Sequence, residues 1–357
     1  MQSWASNLGL SKPARIGQVV SSWAVAVLWF NSVIVNNSNN KADVICLMGP
    51  TAVGKTALAV QLCQYFPFQI INVDSVQIYK GMDIGTGKPD AETLSLAPHR
   101  LLDIRDPAES YSAADFRSDA LSEIEDIVQA GSTPLLVGGT MLYFKVLRDG
   151  LADMPHADKI IRDEIEAIAR AEGWQRVHDL LVEVDPESAN RIHPNDPQRL
   201  QRALEVYRVS GKTMTQLHVE ERSQQAAGLN IPFNLHFFAL QSEDRQQLHQ
   251  HIEKRFLQMI EDGLVAEVRS LLSRGDLNLN LPSIKSVGYR QVWQYLKGDL
   301  SFDGMVEKSI IATRQLAKRQ LTWLRSWENL HNLGNPLSNS RAEPLELVLN
   351  YMESTSI

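Results

Sequence analysis

Gly49-Pro50-Thr51-Ala52-Val53-Gly54-Lys55-Thr56 follows directly on the apolar run Val44-Ile45-Cys46-Leu47-Met48. The octet fits G-x-x-x-x-G-K-T, the phosphate-binding loop that joins a buried strand to a helix. Glycines at its ends allow the tight backbone path, and successive N–H groups turn inward toward phosphate oxygens. The helix that starts near Lys55 adds the positive end of its dipole. The ligand implied is a diphosphate or polyphosphate held by Gly49, Pro50, Thr51, Ala52, Val53, Gly54, Lys55 and Thr56. Lys55 is placed to neutralise phosphate and the Thr56 hydroxyl to hold Mg²⁺. The loop does not by itself say which reaction is run.

Outward from the loop, strand and helix patterns alternate. Strands are expected at Val44–Met48, Gln69–Val73 and Pro134–Val137, and helices at Thr56–Tyr65 and Ala113–Gln129, the latter capped by Ser112. Such alternation implies a parallel sheet with helices on both faces. The expected class is α/β, a P-loop NTPase-like parallel sheet core carrying an inserted helical domain. Ligands in such sheets bind beyond the carboxyl ends of the strands. The Gly49 loop, Asp74 and Gly138-Gly139-Thr140 each follow a strand, so one cleft should gather all three.

From about Met154 the pattern turns to charged helical stretches, including Lys159–Glu172, Gln175–Val182 and Pro197–Arg208, before a strand returns at Phe233–Leu240. The expected division is a core over 41–153 and 233–335, a helical insertion over 154–232 and a C-terminal tail over 336–357. Residues 1–40 read as a disordered or dispensable extension. Their apolar patch from Val19 to Val35 is broken by Ser21, Ser22, Asn31 and Ser32, short of the ~20 apolar residues of a membrane span. No membrane association is expected.

The apolar share of 44% and charged share of 22% are those of a globular protein with a sizeable core. Cys46 and Cys63 sit in apolar segments and read as packing residues of a reduced, cytoplasmic protein. A formal charge of −7 argues against a nucleic-acid partner at first sight. The balance is local, however: between Leu281 and Arg325 eight basic residues face three acidic ones. On the helix expected at Ile310–Trp327, Arg314, Lys318 and Arg325 form one stripe, with Ala312, Leu316, Trp323 and Trp327 on the opposite, apolar side. A solvated face is the commoner fate of such a pattern, but the near absence of carboxylates on the stripe favours a phosphate-backbone contact.

Several spaced motifs together resemble the tRNA dimethylallyltransferase family over about residues 42–330. They are the Gly49–Thr56 loop, Asn72-Val73-Asp74-Ser75-Val76-Gln77-Ile78-Tyr79, Gly81-Met82-Asp83-Ile84-Gly85-Thr86 and Gly138-Gly139-Thr140-Met141-Leu142-Tyr143. Gln198-Arg199-Leu200-Gln201-Arg202-Ala203-Leu204-Glu205, Val287-Gly288-Tyr289-Arg290-Gln291 and Thr313-Arg314-Gln315-Leu316-Ala317-Lys318-Arg319-Gln320 continue the resemblance. It implies transfer of a dimethylallyl group from dimethylallyl diphosphate to N6 of the adenosine 3′ of the anticodon. It also implies a P-loop kinase-like core whose insertion grips the anticodon stem-loop. The sequence departs from the family pattern in its N-terminal extension and in Gly87, where alanine is expected; neither departure should fall on the chemistry.

The chemistry asks for a stabilised diphosphate, a proton acceptor and exclusion of water from an allylic, cation-like carbon. Lys55 and the loop meet the first need. Asp74 is the candidate proton acceptor, with an Mg²⁺ ligand or a helix cap as its other readings. Thr140 is either a hydrogen-bonding group for phosphate or base or a turn cap, and the resemblance implies tRNA contact. Ser75, Val76 and Gln77 could line the pocket of an extruded base, and Tyr79 either joins them or belongs to the core. By resemblance, tRNA contacts are also expected from Arg162, from Gln198, Arg199, Leu200, Gln201 and Arg202, and from Lys285, Ser286, Val287, Gly288, Tyr289 and Arg290; the basic stripe adds Arg314 and Lys318. A monomer is expected. A nucleoside or small-molecule kinase, a prenyltransferase of free adenine nucleotides and a non-catalytic nucleotide switch are the rival readings.

Overall fold

Runs rich in Val, Ile and Leu alternate with helices because strands covered on both faces have no solvated side on which to place polar residues. The computed structural model describes residues 41–151, 154–226, 231–242, 244–334, 342–355 and 357; the extension expected over 1–40 lies outside them. Six strands make one parallel sheet: β1 (Ala42–Met48), β2 (Phe68–Val73), β3 (His99–Arg100), β4 (Thr133–Gly138), β5 (Phe233–Ala239) and β6 (Leu330–Asn332), in the order β3-β2-β4-β1-β5-β6. The four longer strands fall where the apolar runs place them. β3 and β6 are edge strands of two and three residues, too short to leave a periodic signal.

Register is what builds the site. Met48 of β1 and Val73 of β2 both stand opposite Gly138 of β4, so the three loops that follow leave the sheet at one level. The chain runs from β1 toward β2 on one side and later to β5 on the other. This reversal beside β1 is where α/β sheets open a crevice at their carboxyl ends.

Ile45, Leu47, Ile70, Leu135, Val137 and Phe238 form the sheet's main core with Leu58 and Leu62 of the Lys55–Leu62 helix. The segment expected as a tail contributes to it: the helix Ala342–Thr355 buries Val348 and Met352 in the same cluster. The spacing of Leu345, Val348 and Met352 is the helical signal behind that packing.

The insertion builds a second core. Ile165 on Lys159–Glu172, Val177 and Leu181 on Trp174–Val184, and Leu200, Ala203 and Leu204 on Pro197–Ser210 pack together. Asp158, Asp185 and Asp196 cap three of its helices, and proline follows the last two caps. Ser112 caps Ala113–Gln129 as expected, in a reciprocal pair with Asp115.

The last long helix starts earlier than its basic stripe suggests and turns a different face inward. Phe302–Arg325 buries Met305, Ser309, Ile310, Ala317, Gln320 and Leu324, while Trp323, expected on the apolar side, is 37% exposed. A hydropathy count passes over Ser309 and Gln320, and their burial rotates the inner face away from the expected one. Among the described residues no helix is long and apolar enough to cross a membrane.

Candidate active site

A single cavity opens where the three loops meet. Thr51, Ala52, Lys55 and Thr56 line it from the phosphate loop, Asp74, Val76 and Gln77 from the β2 loop, and Gly138 and Gly139 from the end of β4. Its far wall comes from Arg255, Phe256 and Met259 on the helix Arg245–Glu261 and from Thr313, Leu316 and Gln320 on Phe302–Arg325.

The loop's backbone is more constrained than its glycines alone require. Ala52 holds φ 64°, a left-handed conformation that costs a non-glycine residue roughly 1 kcal/mol or more. Such strain collects where a ligand needs the backbone in one shape, and no sequence rule marks an alanine for it. The Lys55 ammonium donates to the carbonyls of Gly49 (3.0 Å) and Pro50 (2.8 Å), which folds the side chain along the loop. Burial lowers its pKa to about 8, although the Asp74 carboxylate pulls the other way.

Asp74 divides its two oxygens. Oδ1 accepts the N–H groups of Val76 (2.9 Å) and Gln77 (3.3 Å), a local turn that fixes the carboxylate's orientation. Oδ2 has no protein hydrogen bond among the described residues and is the oxygen available to a ligand. The cap reading and the proton-acceptor reading are therefore compatible. Thr140 ties this loop to the next, its hydroxyl accepting the Ser75 N–H at 3.0 Å rather than capping its own helix.

Gln77 is held from behind. Its amide nitrogen donates to the carbonyls of Thr86 and Gly87, both at 3.2 Å, which leaves Oε1 as an acceptor. The segment carrying those carbonyls is itself anchored by Glu267, whose carboxylate takes the N–H groups of Asp83, Ile84 and Gly85 at 2.9, 2.8 and 3.2 Å. Tyr79 is core, 1% exposed.

Arg255 is a cavity-lining cation that none of the sequence motifs marks. It lines the cavity, where burial lowers its pKa below the usual guanidinium value and the Asp74 carboxylate opposes that in part. Its signal was available: Ile252, Arg255, Phe256 and Met259 share one helical face, and an arginine on an inward face is an anomaly. Gly87 lies against it, so the departure expected to be remote from the chemistry forms part of the cavity wall.

The expected tRNA residues differ in their surroundings. Ser286, Val287 and Gly288 line the cavity, and Lys285, Arg290, Gln198, Arg199 and Lys318 are exposed. Arg162 and Arg202 are partly exposed and share one buried partner, Glu205, at 2.8 and 2.7 Å, while Gln201 bonds Glu166 and the Arg162 carbonyl. Burial would raise the Glu205 pKa, but hydrogen bonds from both arginines outweigh it and hold the carboxyl below its ordinary range. Leu200 and Tyr289 are fully buried, the first in the insertion core and the second with its hydroxyl donating to Glu267. Those two face no solvent, because an apolar helix position and a phenol with an internal acceptor are both satisfied inside. Arg314 is ion-paired to Glu253 at 2.7 Å, so the basic stripe does have a carboxylate beside it.

Thr56 and Asp74 bring oxygen donors to the same cavity, beside the phosphate loop. That combination suits Mg²⁺, which keeps several waters and takes few protein ligands beside substrate phosphates.

A family model described as IPP transferase matches residues 77–327. Three solved structures are similar over 88% of the chain. A tRNA isopentenylpyrophosphate transferase from Bacillus halodurans is 34% identical, with 98% of its chain covered and a TM-score of 0.63. One from Staphylococcus epidermidis is 31% identical, with 100% covered and a TM-score of 0.63. A eukaryotic dimethylallyltransferase acting on tRNA is 26% identical, with 80% covered and a TM-score of 0.71. The family match begins three residues beyond Asp74, so it rests on segments that phosphate-loop proteins at large do not share.

Proposed function

The chain belongs to the IPP transferase family, whose members transfer a prenyl group to tRNA, and from that premise we propose how its residues divide the work. The donor is dimethylallyl diphosphate and the acceptor is N6 of the adenosine 3′ of the anticodon. The observation that carries the reading is the convergence of Lys55, Arg255 and Asp74 on one cavity at the level where β1, β2 and β4 end. Two cations stand ready for a leaving diphosphate and one carboxylate for a departing proton.

The diphosphate lies along the Gly49–Thr56 loop, with Lys55 and Arg255 countering the charge that grows as the carbon–oxygen bond breaks. The adenine amine bonds to the allylic carbon, and its proton passes to Oδ2 of Asp74, the oxygen its own turn leaves available. General-base help of this kind contributes roughly 100- to 10,000-fold in rate. Thr56 would hold Mg²⁺, which when bound adds positive charge beside the diphosphate. Phe256, Met259 and Leu316 present apolar surface that keeps water from the cation-like carbon.

The adenosine must leave its stack, at a cost of a few kcal/mol that is least in a single-stranded loop. Oε1 of Gln77 faces it as an acceptor. Partly exposed Arg162 and Arg202 and exposed Lys285 and Arg290 supply charge for the anticodon stem-loop. In this reading the protein acts as a monomer in the cytoplasm, and its free Cys46 and Cys63 suit a reducing compartment.

The test is incubation with radiolabelled dimethylallyl diphosphate and unmodified tRNA, followed by nucleoside mapping. Label on the adenosine 3′ of the anticodon is expected. Label on another nucleoside, or on free adenine nucleotides alone, overturns the acceptor assignment.

A further inference from the structure

Gln320 belongs to the helix Phe302–Arg325, far in sequence from the phosphate loop, yet its carboxamide spans two of the loops that form the cavity. Oε1 accepts the Thr51 N–H at 2.9 Å, and Nε2 donates to the Gly139 carbonyl at 2.9 Å. A main-chain N–H can only donate and a carbonyl can only accept, so these partners leave the amide one orientation. The side chain is buried, and both polar ends are used by protein.

The fit is close on the β4 side. A Cβ added at Gly139 would come 2.5 Å from Nε2, so the turn carries glycine where the amide must approach the backbone. Thr51 directly precedes strained Ala52. Fixing the Thr51 amide therefore holds the segment in which the loop departs furthest from relaxed backbone. It also means that Thr51 gives its N–H to the protein, while the ligand draws on amides farther along the loop.

We propose that Gln320 is a positioning residue for prenyl transfer, a strut that locks the diphosphate loop to the turn carrying Thr140 and so sets the distance between leaving group and acceptor base. The inference rests on the reading that the diphosphate lies along Gly49–Thr56. A strut of this kind acts on the prenyl donor and on turnover, and leaves RNA docking on the outer surface alone. Packing alone would be served by any side chain of the same volume.

The test compares Gln320→Met, which keeps the volume and removes both hydrogen bonds, with Gln320→Glu, which keeps the acceptor for Thr51 but sets negative charge against the Gly139 carbonyl and the diphosphate. Steady-state kinetics on full-length protein with dimethylallyl diphosphate and tRNA are the readout. Gln320→Met should lose about tenfold to a hundredfold in kcat/KM for the prenyl donor, with KM for tRNA held within about twofold. Gln320→Glu should lose more. Wild-type donor kinetics in Gln320→Met, a smaller loss in Gln320→Glu, or equal losses in both substrates' KM would overturn the proposal. If Gln320→Met does not fold, the isosteric Gln320→Glu decides by the split between donor and tRNA constants. Lys55→Ala is run in parallel: wild-type kinetics there sinks the underlying diphosphate reading, whereas its loss beside an intact Gln320→Met sinks only the strut.

Discussion

The Arg255 guanidinium occupies the space that a side chain at position 87 would need, since a Cβ built on Gly87 comes 1.8 Å from Nη2. Gly87 also holds φ +61°, where alanine is strained by about 1 kcal/mol. The residue that departs from the family pattern thus controls where a cavity cation sits. Gly87→Ala should raise KM for dimethylallyl diphosphate severalfold, with a small fall in melting temperature. Steady-state kinetics beside a thermal melt check this, and an unchanged donor KM would mean that Arg255 moves aside without consequence.

Lys55 gives a pH signature. With its pKa lowered to about 8 by burial, the free enzyme holds the charged form below that pH and loses it above. The profile of kcat/KM for the prenyl donor should therefore fall on its alkaline side from about pH 8. A bound diphosphate favours the ammonium, so the matching limb in kcat should lie at higher pH. Lys55→Ala should lose most turnover, and its residual rate should lack the alkaline limb.

Asp74→Asn separates two roles for the carboxylate. If Oδ2 takes the proton, kcat falls by roughly 100- to 10,000-fold while donor KM holds. If the carboxylate chiefly holds Mg²⁺, the half-saturating Mg²⁺ concentration rises instead. Titrating Mg²⁺ in kinetics of both proteins distinguishes them.

Much of this site could be read from sequence because its parts follow strands directly. Strand ends are marked by apolar runs, and Gly49, Asp74 and Gly138 are next-door neighbours of such ends, so their convergence needed only the sheet. Arg255, Glu267 and Gln320 were not legible in that way. Each is a polar residue on a helix that reaches the site by tertiary packing, and a helix of charged and apolar residues does not announce which polar group turns inward. Leu200 and Tyr289 erred in the opposite direction. They stand inside motifs whose other members, such as Arg199 and Arg290, are exposed, yet one face of a helix always returns to the core.

Glu205 should prove to be the hinge of the insertion's stability. Glu205→Gln removes the charge shared by Arg162 and Arg202 and should cost about 1–3 kcal/mol, less than a fully buried pair because both arginines reach solvent. The carboxyl's pKa lies below its ordinary value in the folded protein. Its contribution is therefore complete above the ordinary glutamate range and is lost as pH falls through the folded value. Melts of both proteins should differ at neutral pH and converge in acid, and a constant gap would assign the loss to packing.

Salt dependence of tRNA binding tests the basic helix residue by residue. Lys318 is exposed, whereas Arg314 is already bonded to Glu253. A phosphate contact releases counterions in proportion to the charge that it neutralises, so losing one contact should flatten the slope of log K against log salt by about 0.7–0.9. Lys318→Ala should show that change. Arg314→Ala should change the slope less, because its charge is partly spent within the protein, and it should free Glu253 to repel the RNA. Glu253→Gln then becomes the informative partner: releasing Arg314 should tighten binding and steepen the slope. Equal slopes in wild type, Lys318→Ala and Glu253→Gln, measured by filter binding across a salt series, would return this helix to an ordinary solvated surface.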